Sequence, residues 1–293
     1  MTQLDGEFQT PVRQNPYALL ESRAASPLSA TPRPFLRWAG SKQRLLRQIL
    51  PYIPTEYSGN YYEPFLGAGA LFFLLEPEKA VLSDTCEPLI ETYEAVRNSP
   101  SDVIRSLGNM DVLNKQQYYE IRDKSYLESA DRAARFIYLN RAAWNGLYRV
   151  NNKGKFNVPY GRPRSANLVD ADNLSSCSKI LASASVSVAD FENSVMDAKS
   201  GDLVYFDPPY VTGHNNNGFV DYNEKLFSWE DQQRLARLAS ELKASGVHVV
   251  VSNANHPSIL SLYPSFRQAI ISRRSALASD VAKRKSVTEV VFY

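Results

Sequence analysis

The strongest constraint on the fold of this chain is an apolar run that ends in a turn-forming tetrapeptide. Leu203–Phe206 reads Leu-Val-Tyr-Phe and is followed directly by Asp207-Pro208-Pro209-Tyr210. A short run that is apolar at every position is typical of a strand buried on both faces of a parallel sheet. Open α/β sheets bind their ligands at the carboxyl ends of such strands. The pattern therefore predicts an α/β fold with a functional site at the tetrapeptide.

The residues of this tetrapeptide suit the recognition of an exocyclic amine. The Asp207 carboxylate and the backbone carbonyl of Pro208 can each accept a hydrogen bond from such an amine. The two prolines stiffen the turn and have no N–H group that would compete for these acceptors. The Tyr210 ring offers a flat face against which a heterocycle can stack. Asp-Pro-Pro is also a common surface turn, so the tetrapeptide on its own leaves both interpretations open.

A second stretch predicts a ligand-binding turn between a strand and a helix. Residues 62–70 read Tyr-Glu-Pro-Phe-Leu-Gly-Ala-Gly-Ala. Gly67 and Gly69 allow a tight turn and a close approach of a ligand to the backbone. A single Gly-x-Gly is a weak signal that also occurs in dinucleotide-binding dehydrogenases. This chain lacks the third glycine of that fingerprint, and nothing near the turn supplies hydride chemistry.

Two further carboxylates follow predicted strands. Asp84 ends the run Ala80–Asp84, and Asp190 follows the run at residues 186–188. A carboxylate at the end of the second strand can accept hydrogen bonds from ribose hydroxyls, as in dinucleotide sites. Asp84 fits equally well as an ordinary turn residue, so its spacing alone does not decide its role.

The distribution of charge indicates a surface for a polyanion. The formal net charge is only +2, which does not by itself suggest nucleic-acid binding. Residues 132–164, however, contain eight Lys or Arg residues, no Asp or Glu, and six interleaved aromatic residues. A solvated surface usually mixes charges of both signs, so this segment favours contact with a phosphate backbone.

Composition excludes several other classes. The chain of 293 residues has no apolar run of about 18 residues and no secretory leader. We therefore expect no membrane span and a cytoplasmic location. Cys86 and Cys177 have no metal-ligand spacing and are expected to be ordinary thiols, so no metal site is predicted.

The order of the motifs resembles the Dam-type DNA adenine-N6 methyltransferases, the D12 class with the α arrangement. The matching stretches are Phe35-Leu36-Arg37-Trp38-Ala39-Gly40-Ser41-Lys42, Glu63-Pro64-Phe65-Leu66-Gly67-Ala68-Gly69, Asn145-Gly146-Leu147-Tyr148-Arg149 and Asp207-Pro208-Pro209-Tyr210. The resemblance implies a Rossmann-like, S-adenosylmethionine-dependent methyltransferase sheet with a mainly helical target-recognition insert. We expect a flexible tail at 1–33, a catalytic domain at 34–98 and 178–293, and a DNA target-recognition domain at 99–177.

The resemblance also implies roles for individual residues. Those expected to bind S-adenosylmethionine are Trp38, Lys42, Phe65, Gly67, Gly69, Asp84, Asp190 and Asp207. Asp207, Pro208 and Tyr210 would act in catalysis. Those expected to bind DNA are Trp144, Asn145, Leu147, Arg149, Pro159 and Arg162.

Two of the DNA-binding residues have side chains suited to specific tasks. The Arg149 guanidinium can donate two hydrogen bonds to guanine O6 and N7, which makes it the leading candidate for base recognition. Trp144 can wedge into the gap left by an extruded base, although it could instead be a core aromatic of the insert. Pro163 departs from the aromatic residue expected after Arg162, so neighbouring contacts to DNA can differ.

The sequence therefore predicts methyl transfer from S-adenosylmethionine to N6 of adenine in duplex DNA, after base flipping. The matching Asn145, Leu147 and Arg149 suggest a GATC target. Expected partners are duplex DNA and a possible cognate restriction endonuclease, with the enzyme acting as a monomer. Two other functions remain open: methylation of another amine, in an RNA base or a protein glutamine, and a non-catalytic DNA-binding module on the same scaffold.

Overall fold

A seven-stranded sheet forms the centre of the protein. The computed structural model describes residues 32–166, 168, 170–211, 227–274 and 286–293. The strands are β1 (Tyr61–Glu63), β2 (Ala80–Asp84), β3 (Ala184–Val188), β4 (Leu203–Phe206), β5 (His248–Ala254), β6 (Gln268–Arg274) and β7 (Ser286–Phe292). Their order across the sheet is β3-β2-β1-β4-β5-β7-β6. Strands β1 to β5 run parallel, whereas β7 is antiparallel to both β5 and β6. The predicted α/β class is confirmed.

Strand β4 occupies the middle of the sheet, as its apolar sequence predicts. All four of its residues are buried, and it pairs with β1 on one side and β5 on the other. The chain winds outward from β1 through β2 to β3, then returns to begin the other half at β4. The strand order therefore reverses between β1 and β4, which is where α/β sheets open a ligand-binding crevice.

Strand β5 is longer than its hydropathy indicates. The apolar run predicts residues 247–251, but the strand continues through the polar residues Ser252 and Asn253 to Ala254. Both polar side chains are fully buried. Strand β7 accounts for the extension, because Val290 pairs with Asn253 and Glu289 pairs with Ala254. A sequence pattern does not reveal this antiparallel partner, which lies more than 30 residues away.

The helices cover the sheet and form the segment between β2 and β3. They are α1 (Leu46–Ile49), α2 (Ala70–Leu75), α3 (Glu87–Asn98), α4 (Pro100–Leu107), α5 (Lys115–Asp123), α6 (Ser129–Ala142), α7 (Ala171–Leu181), α8 (Phe191–Ser194), α9 (Trp229–Ala244) and α10 (Pro257–Leu260). Helix α6 packs against α3 and α4, and α7 packs against α3. The helical spacing of Ala133, Phe136, Ile137 and Asn140 indicates that they share the inner face of α6, and all four are buried. No helix in the described part of the chain is long and apolar enough to cross a membrane.

The segment after Ser41 differs from the single capped helix that its sequence suggests. It forms a 3₁₀ turn at Lys42–Arg44, the short helix α1, and a second 3₁₀ turn at Leu50–Tyr52. The Ser41 side chain makes no capping hydrogen bond. Pro51 lies inside the last turn, where its missing N–H is tolerated, instead of ending a helix. Lys42 nevertheless starts the first turn, as expected, and its side chain is buried.

Two residues of the predicted tail, at positions 32 and 33, lie within the described part of the chain. Residues 1–31 of the predicted tail fall outside the described residues. The Arg33 N–H donates to Asn173 Oδ1 at 2.8 Å, and Asn173 Nδ2 donates back to the Arg33 carbonyl at 2.9 Å. Arg33 also pairs with Asp170 at 3.4 Å. The chain is therefore already anchored to α7 at Arg33.

A buried aspartate fixes the turn that leads into β4. Asp202 is fully buried, and its carboxylate accepts hydrogen bonds from the N–H groups of Asn60 at 2.7 Å and Lys199 at 2.9 Å. A Cβ atom added to Gly59 would lie only 1.8 Å from Asp202 Oδ1. Only glycine therefore fits beside this carboxylate without displacing it.

We expect Gly59→Ala to lower the free energy of unfolding by about 1–3 kcal/mol, because the methyl group must displace a buried, hydrogen-bonded carboxylate. Urea unfolding followed by circular dichroism measures this change. Gly108→Ala is the matched control, since Gly108 has helical dihedral angles and an added Cβ would meet no atom closer than 3.4 Å. A Gly59 variant as stable as the control would contradict the role given to Asp202.

Candidate active site

Four carboxylates meet at the carboxyl ends of the parallel strands. Glu63 is the last residue of β1, Asp84 ends β2, Asp190 follows β3, and Asp207 follows β4. The predicted strand-end positions of Asp84, Asp190 and Asp207 are thus found in the structure. Because these strands are neighbours, the carboxylates line one edge of the sheet around the crevice between β1 and β4.

Lys42 supplies positive charge at this edge. Its Nζ lies 2.5 Å from Asp207 Oδ1 and 3.9 Å from Glu289 Oε2, and it donates to the Gly40 carbonyl at 3.0 Å. The same ammonium group sits 4.7 Å from the centre of the Tyr210 ring. Only 4% of the Lys42 side chain is exposed, so water screens these contacts poorly. The ion pair therefore fixes the position of Asp207 at the end of β4.

The last residue of the tetrapeptide is held by a second carboxylate. The Tyr210 hydroxyl donates a hydrogen bond to Glu289 Oε2 at 2.7 Å. Burial raises the pKa of Tyr210 well above its ordinary value, and the charges of Asp207 and Glu289 raise it further. The phenol is therefore a hydrogen-bond donor and not a base at neutral pH.

The carbonyl of Pro209 is held by two buried amides. Gln232 Nε2 donates to the Pro209 carbonyl at 3.0 Å, and Asn253 Nδ2 donates to Gln232 Oε1 at 2.9 Å. Both amide side chains are fully buried. This relay runs from β5 through α9 to the tetrapeptide, so two elements of the core fix the turn that carries Asp207.

Glu63 is a buried carboxyl group beside Asp207. Its Oε2 accepts hydrogen bonds from the Tyr61 hydroxyl at 2.7 Å and the Phe72 N–H at 3.2 Å. Burial raises the pKa of Glu63 to about 8, and the charge of Asp207 acts in the same direction against these two hydrogen bonds. Glu63 is therefore largely protonated at neutral pH and adds little negative charge to the site.

The glycine turn between β1 and α2 is tied to the second strand. Gly67 N–H donates to Asp84 Oδ2 at 3.0 Å, and Cys86 N–H donates to Asp84 Oδ1 at 3.0 Å. Gly67 and Gly69 both have positive φ angles, 46° and 62°, which glycine adopts without strain. The Asp84 carboxylate thus organises the turn and keeps acceptor capacity for a ligand.

Trp38 closes the other side of the turn. A Cβ atom on Gly67 would lie 2.7 Å from Trp38 Cδ1, so the indole packs directly on the glycine backbone. The indole also stacks on Phe136 and Tyr148, with ring centres 6.2 and 5.9 Å away. Trp38 therefore connects the glycine turn with the segment between β2 and β3.

Asn140 makes the same connection through the backbone. Its Oδ1 accepts from the Arg37 N–H at 2.7 Å, while its Nδ2 donates to the carbonyls of Arg37 and Gly146. The side chain is almost fully buried. Asn140 therefore holds the stretch before Lys42 against the loop that follows α6.

Phe65 and Asp190 lie beside the start of α8. Phe65 stacks on Phe191 with ring centres 5.6 Å apart. Asp190 Oδ1 accepts from the Glu192 N–H at 3.0 Å and pairs with Arg234 Nη2 at 3.0 Å. Asp190 therefore caps α8, and Arg234 fixes its carboxylate from α9.

The residues predicted to bind DNA lie together on the loop after α6. This loop folds back on itself through bridges between Ala143 and Tyr160 and between Val150 and Phe156. The predicted residues on it are Trp144, Asn145, Leu147, Arg149, Pro159 and Arg162, of which Leu147 is half-buried and the others are exposed. The large Trp144 side chain is 48% exposed, so it is not a core residue of the insert.

Two contacts shape this loop. The Pro159 carbonyl accepts from the Trp144 N–H at 2.9 Å, and Asn157 Oδ1 accepts from Arg149 Nε at 2.8 Å. Asn145 and Arg162 both have positive φ angles, which is unusual for residues with side chains. The loop thus presents Trp144 and Arg149 to solvent on a defined backbone.

Comparison with known proteins agrees with this geometry. Residues 38–277 match the D12 class N6 adenine-specific DNA methyltransferase family. The chain belongs to this family. It is an adenine-specific DNA methyltransferase.

Several curated relatives align with most of this methyltransferase. The type II methyltransferase M1.LlaDCHI of Lactococcus lactis subsp. cremoris is 38% identical, over 88% of this chain and 94% of the relative. The type II methyltransferase M.MjaIII of Methanocaldococcus jannaschii is 35% identical, over 88% and 98% of the two chains. The DNA adenine methylase of Escherichia coli is 30% identical, over 88% and 94%.

Four residues that shape the site were not predicted from sequence: Glu289, Gln232, Asn253 and the buried Glu63. One signal for Glu289 was available, because a charged residue directly precedes the apolar stretch Val290–Phe292 near the end of the chain. Gln232 lies on a helix among polar residues, and only the fold shows that it is fully buried. The protonated state of Glu63 likewise depends on burial that the sequence does not reveal.

The raised pKa of Glu63 predicts a change in stability with pH. A carboxyl group whose pKa is higher in the folded state stabilises that state fully below its ordinary pKa of 4.5, and the stabilisation is lost as the pH rises toward 8. Between about pH 5 and pH 9, wild type should therefore lose roughly 2–5 kcal/mol of unfolding free energy relative to Glu63→Gln.

Urea unfolding of both proteins across this pH range measures the difference. The Glu63→Gln side chain keeps an acceptor for Tyr61 and Phe72 but has no titrating proton, so this variant isolates the charge. The exposed Glu78→Gln is the control, and it should follow wild type at every pH. Parallel pH profiles for wild type and Glu63→Gln would show that Glu63 ionises normally.

Proposed function

We propose that this methyltransferase moves a methyl group from S-adenosylmethionine to N6 of an adenine flipped out of duplex DNA, within GATC. The observation that supports this most directly is the position of Asp207. Its carboxylate stands at the end of the central strand, at the reversal of strand order, and 17% of its side chain is exposed. An amine that enters the crevice would meet this acceptor and the stacking face of Tyr210.

The residues around the glycine turn fit S-adenosylmethionine. Gly67 and Gly69 leave the backbone open to a ligand, and Asp84 has acceptor capacity for ribose hydroxyls at the end of β2. We assign Asp190 and Phe65 to the adenine end of the ligand, and Trp38 and Lys42 to the rest of the pocket. When bound, the sulfonium group supplies an electrophilic methyl carbon.

Within this assignment, Asp207 and the Pro208 carbonyl orient the amine. Two hydrogen bonds from the amine hydrogens leave its nitrogen lone pair free to point at the methyl carbon. Catalysis is then mainly positioning for in-line attack. Because the relay of Gln232 and Asn253 fixes the Pro209 carbonyl, the neighbouring Pro208 carbonyl is held in a defined orientation.

A basic cavity at the edge of the loop fits the DNA backbone. The cavity has a volume of about 420 Å³ and is lined by Arg37, Val112, Arg141, Pro163, Arg164 and Ser165. Burial lowers the pKa of Arg141 to about 10, and the charges of Arg37 and Arg33 act in the same direction. A phosphate would relieve this repulsion between like charges.

The loop after α6 is the proposed reader of the target. We assign Trp144 to the space left by the flipped adenine and Arg149 to a guanine, with Asn145, Leu147, Pro159 and Arg162 at flanking positions. Residues 99–177 would then form the target-recognition region, and 34–98 with 178–293 the catalytic region. A cognate restriction endonuclease and action as a monomer belong to the same proposal.

Transfer of labelled methyl groups from S-adenosylmethionine tests the function. Wild type should label a duplex with GATC and not a duplex in which the site is scrambled, and Asp207→Ala should label neither. Equal labelling of both duplexes would keep the chemistry and discard the GATC target. Labelling of RNA or protein instead of DNA would overturn the proposed substrate.

Arg149→Ala tests base recognition separately. Loss of a bidentate contact should reduce discrimination against one substituted base pair by about 10- to 100-fold, measured as the ratio of kcat/KM values on GATC and substituted duplexes. Lys153→Ala, on the same exposed loop, is the matched control and should weaken binding to all duplexes equally. An equal loss on all duplexes for Arg149→Ala would assign this residue to the phosphate backbone.

A further inference from the structure

One buried charge at the site has no role in the function proposed above. Glu289 lies on β7, paired with Ala254 of β5 and Ile271 of β6. Only 2% of its side chain is exposed, and the three residues that follow it are buried and apolar. A buried carboxylate lowers stability unless nearby groups compensate it. The presence of Glu289 in this apolar strand therefore indicates that its carboxylate contributes to the site.

The contacts of Glu289 lead to the groups around the crevice. Its Oε2 accepts the hydrogen bond from the Tyr210 hydroxyl at 2.7 Å and lies 3.9 Å from Lys42 Nζ. The tyrosine hydroxyl donates, so the carboxylate serves as the acceptor. Glu289 Oε2 thus contacts Tyr210 of the tetrapeptide and lies near Lys42, the residue that pairs with Asp207.

We propose that Glu289 is a positioning residue for methyl transfer, which orients Tyr210 and provides Lys42 with a second anionic partner while Asp207 binds the substrate amine. This inference rests on the role proposed for Asp207. Glu289 itself does not touch the reacting atoms, and it acts through Lys42 and Tyr210.

The need for a second partner follows from competition at Asp207. Lys42 Nζ occupies Asp207 Oδ1 at 2.5 Å, where an incoming amine would also donate. A displacement of the ammonium group by about 1 Å would shorten its 3.9 Å distance from Glu289 to that of a charge-assisted hydrogen bond. The Gly40 carbonyl, 3.0 Å from Nζ, can hold the group during this shift. Lys42 would then release Asp207 without becoming a buried, unpaired charge.

The same carboxylate fixes the stacking face. The Tyr210 ring lies 4.7 Å from Lys42 Nζ, and its hydroxyl is anchored on Glu289. The ring and the hydroxyl of Tyr210 are therefore both held in place before a base binds. A small shift of the ammonium toward Glu289 leaves this anchor in place.

Two variants separate charge from shape. Glu289→Gln keeps the size of the side chain and an acceptor for Tyr210 but removes the charge, whereas Glu289→Asp keeps the charge on a shorter side chain. If Glu289 acts through its charge on Lys42, the single-turnover rate of methyl transfer should fall about tenfold or more in Glu289→Gln. Glu289→Asp should recover part of that loss. A purely structural role predicts the opposite order, since Gln is the closer fit.

The experiment measures single-turnover transfer to a GATC duplex, together with Kd values for duplex and S-adenosylmethionine, at a temperature where every variant is folded. The two Kd values should change less than about twofold, because Glu289 acts on the transfer step. Thr288→Val, at the exposed neighbouring position on β7, is the matched control and should keep the wild-type rate.

The outcomes separate this inference from the proposed function. A Glu289→Gln rate within twofold of wild type, or one above that of Glu289→Asp, overturns the inference. Asp207→Ala in the same assay tests the proposed function: it should be inactive. Wild-type activity in Asp207→Ala would overturn the role of Asp207, whereas an inactive Asp207→Ala with a normal Glu289→Gln overturns only the role of Glu289.

Discussion

The buried ion pair between Lys42 and Asp207 is the interaction on which the site depends. The two side chains are distant in sequence, because Lys42 starts the 3₁₀ turn that precedes β1 and Asp207 follows β4. Only 4% of the Lys42 side chain is exposed, so its charge needs an anionic partner, and Asp207 is the nearer of the two that it has. The ion pair therefore fixes the Asp207 carboxylate at the carboxyl end of the central strand. Glu289 is the second carboxylate near Lys42, and it lies on β7, the antiparallel strand that pairs with β5.

A second set of contacts connects the sheet to the loop after α6. Asn140 joins the backbone at Arg37 to the loop at Gly146, and Trp38 stacks between the glycine turn and Tyr148. The buried residues on both sides form one continuous apolar cluster. A shift of the loop that carries Trp144 and Arg149 would therefore also displace the glycine turn.

The local features of the fold were predictable from sequence, whereas the long-range contacts were not. Strand β2 has its predicted bounds and β4 has its predicted position, and the three-residue spacing of Ser228 and Asp231 indicates the capping box with which α9 begins. Each of these depends on residues a few positions apart. The extension of β5, the broken helix after Ser41 and the site role of Glu289 depend on partners far away in sequence. Hydropathy gives no sign of such partners.

The residues of the candidate site likewise divide into those that were predictable from sequence and those that were not. Asp84, Asp190 and Asp207 were predictable because strand ends in parallel sheets carry ligand-binding side chains. The motifs of the family identified the glycine turn and the loop at Trp144. The relay from Asn253 through Gln232 to Pro209 was not predictable, because polar residues on a helix normally face solvent. Its amides are recognisable as part of the site only once β5 and α9 are packed together.

The role proposed for Asp207 is tested most directly by a crystal structure of the methyltransferase with S-adenosylhomocysteine and a duplex that contains the target adenine. We expect a flipped adenine whose N6 lies within about 3.2 Å of an Asp207 oxygen. We also expect Lys42 Nζ to lie closer to Glu289 than its present 3.9 Å. An adenine bound away from Asp207, with the Lys42 and Asp207 pair still at 2.5 Å, would overturn this role.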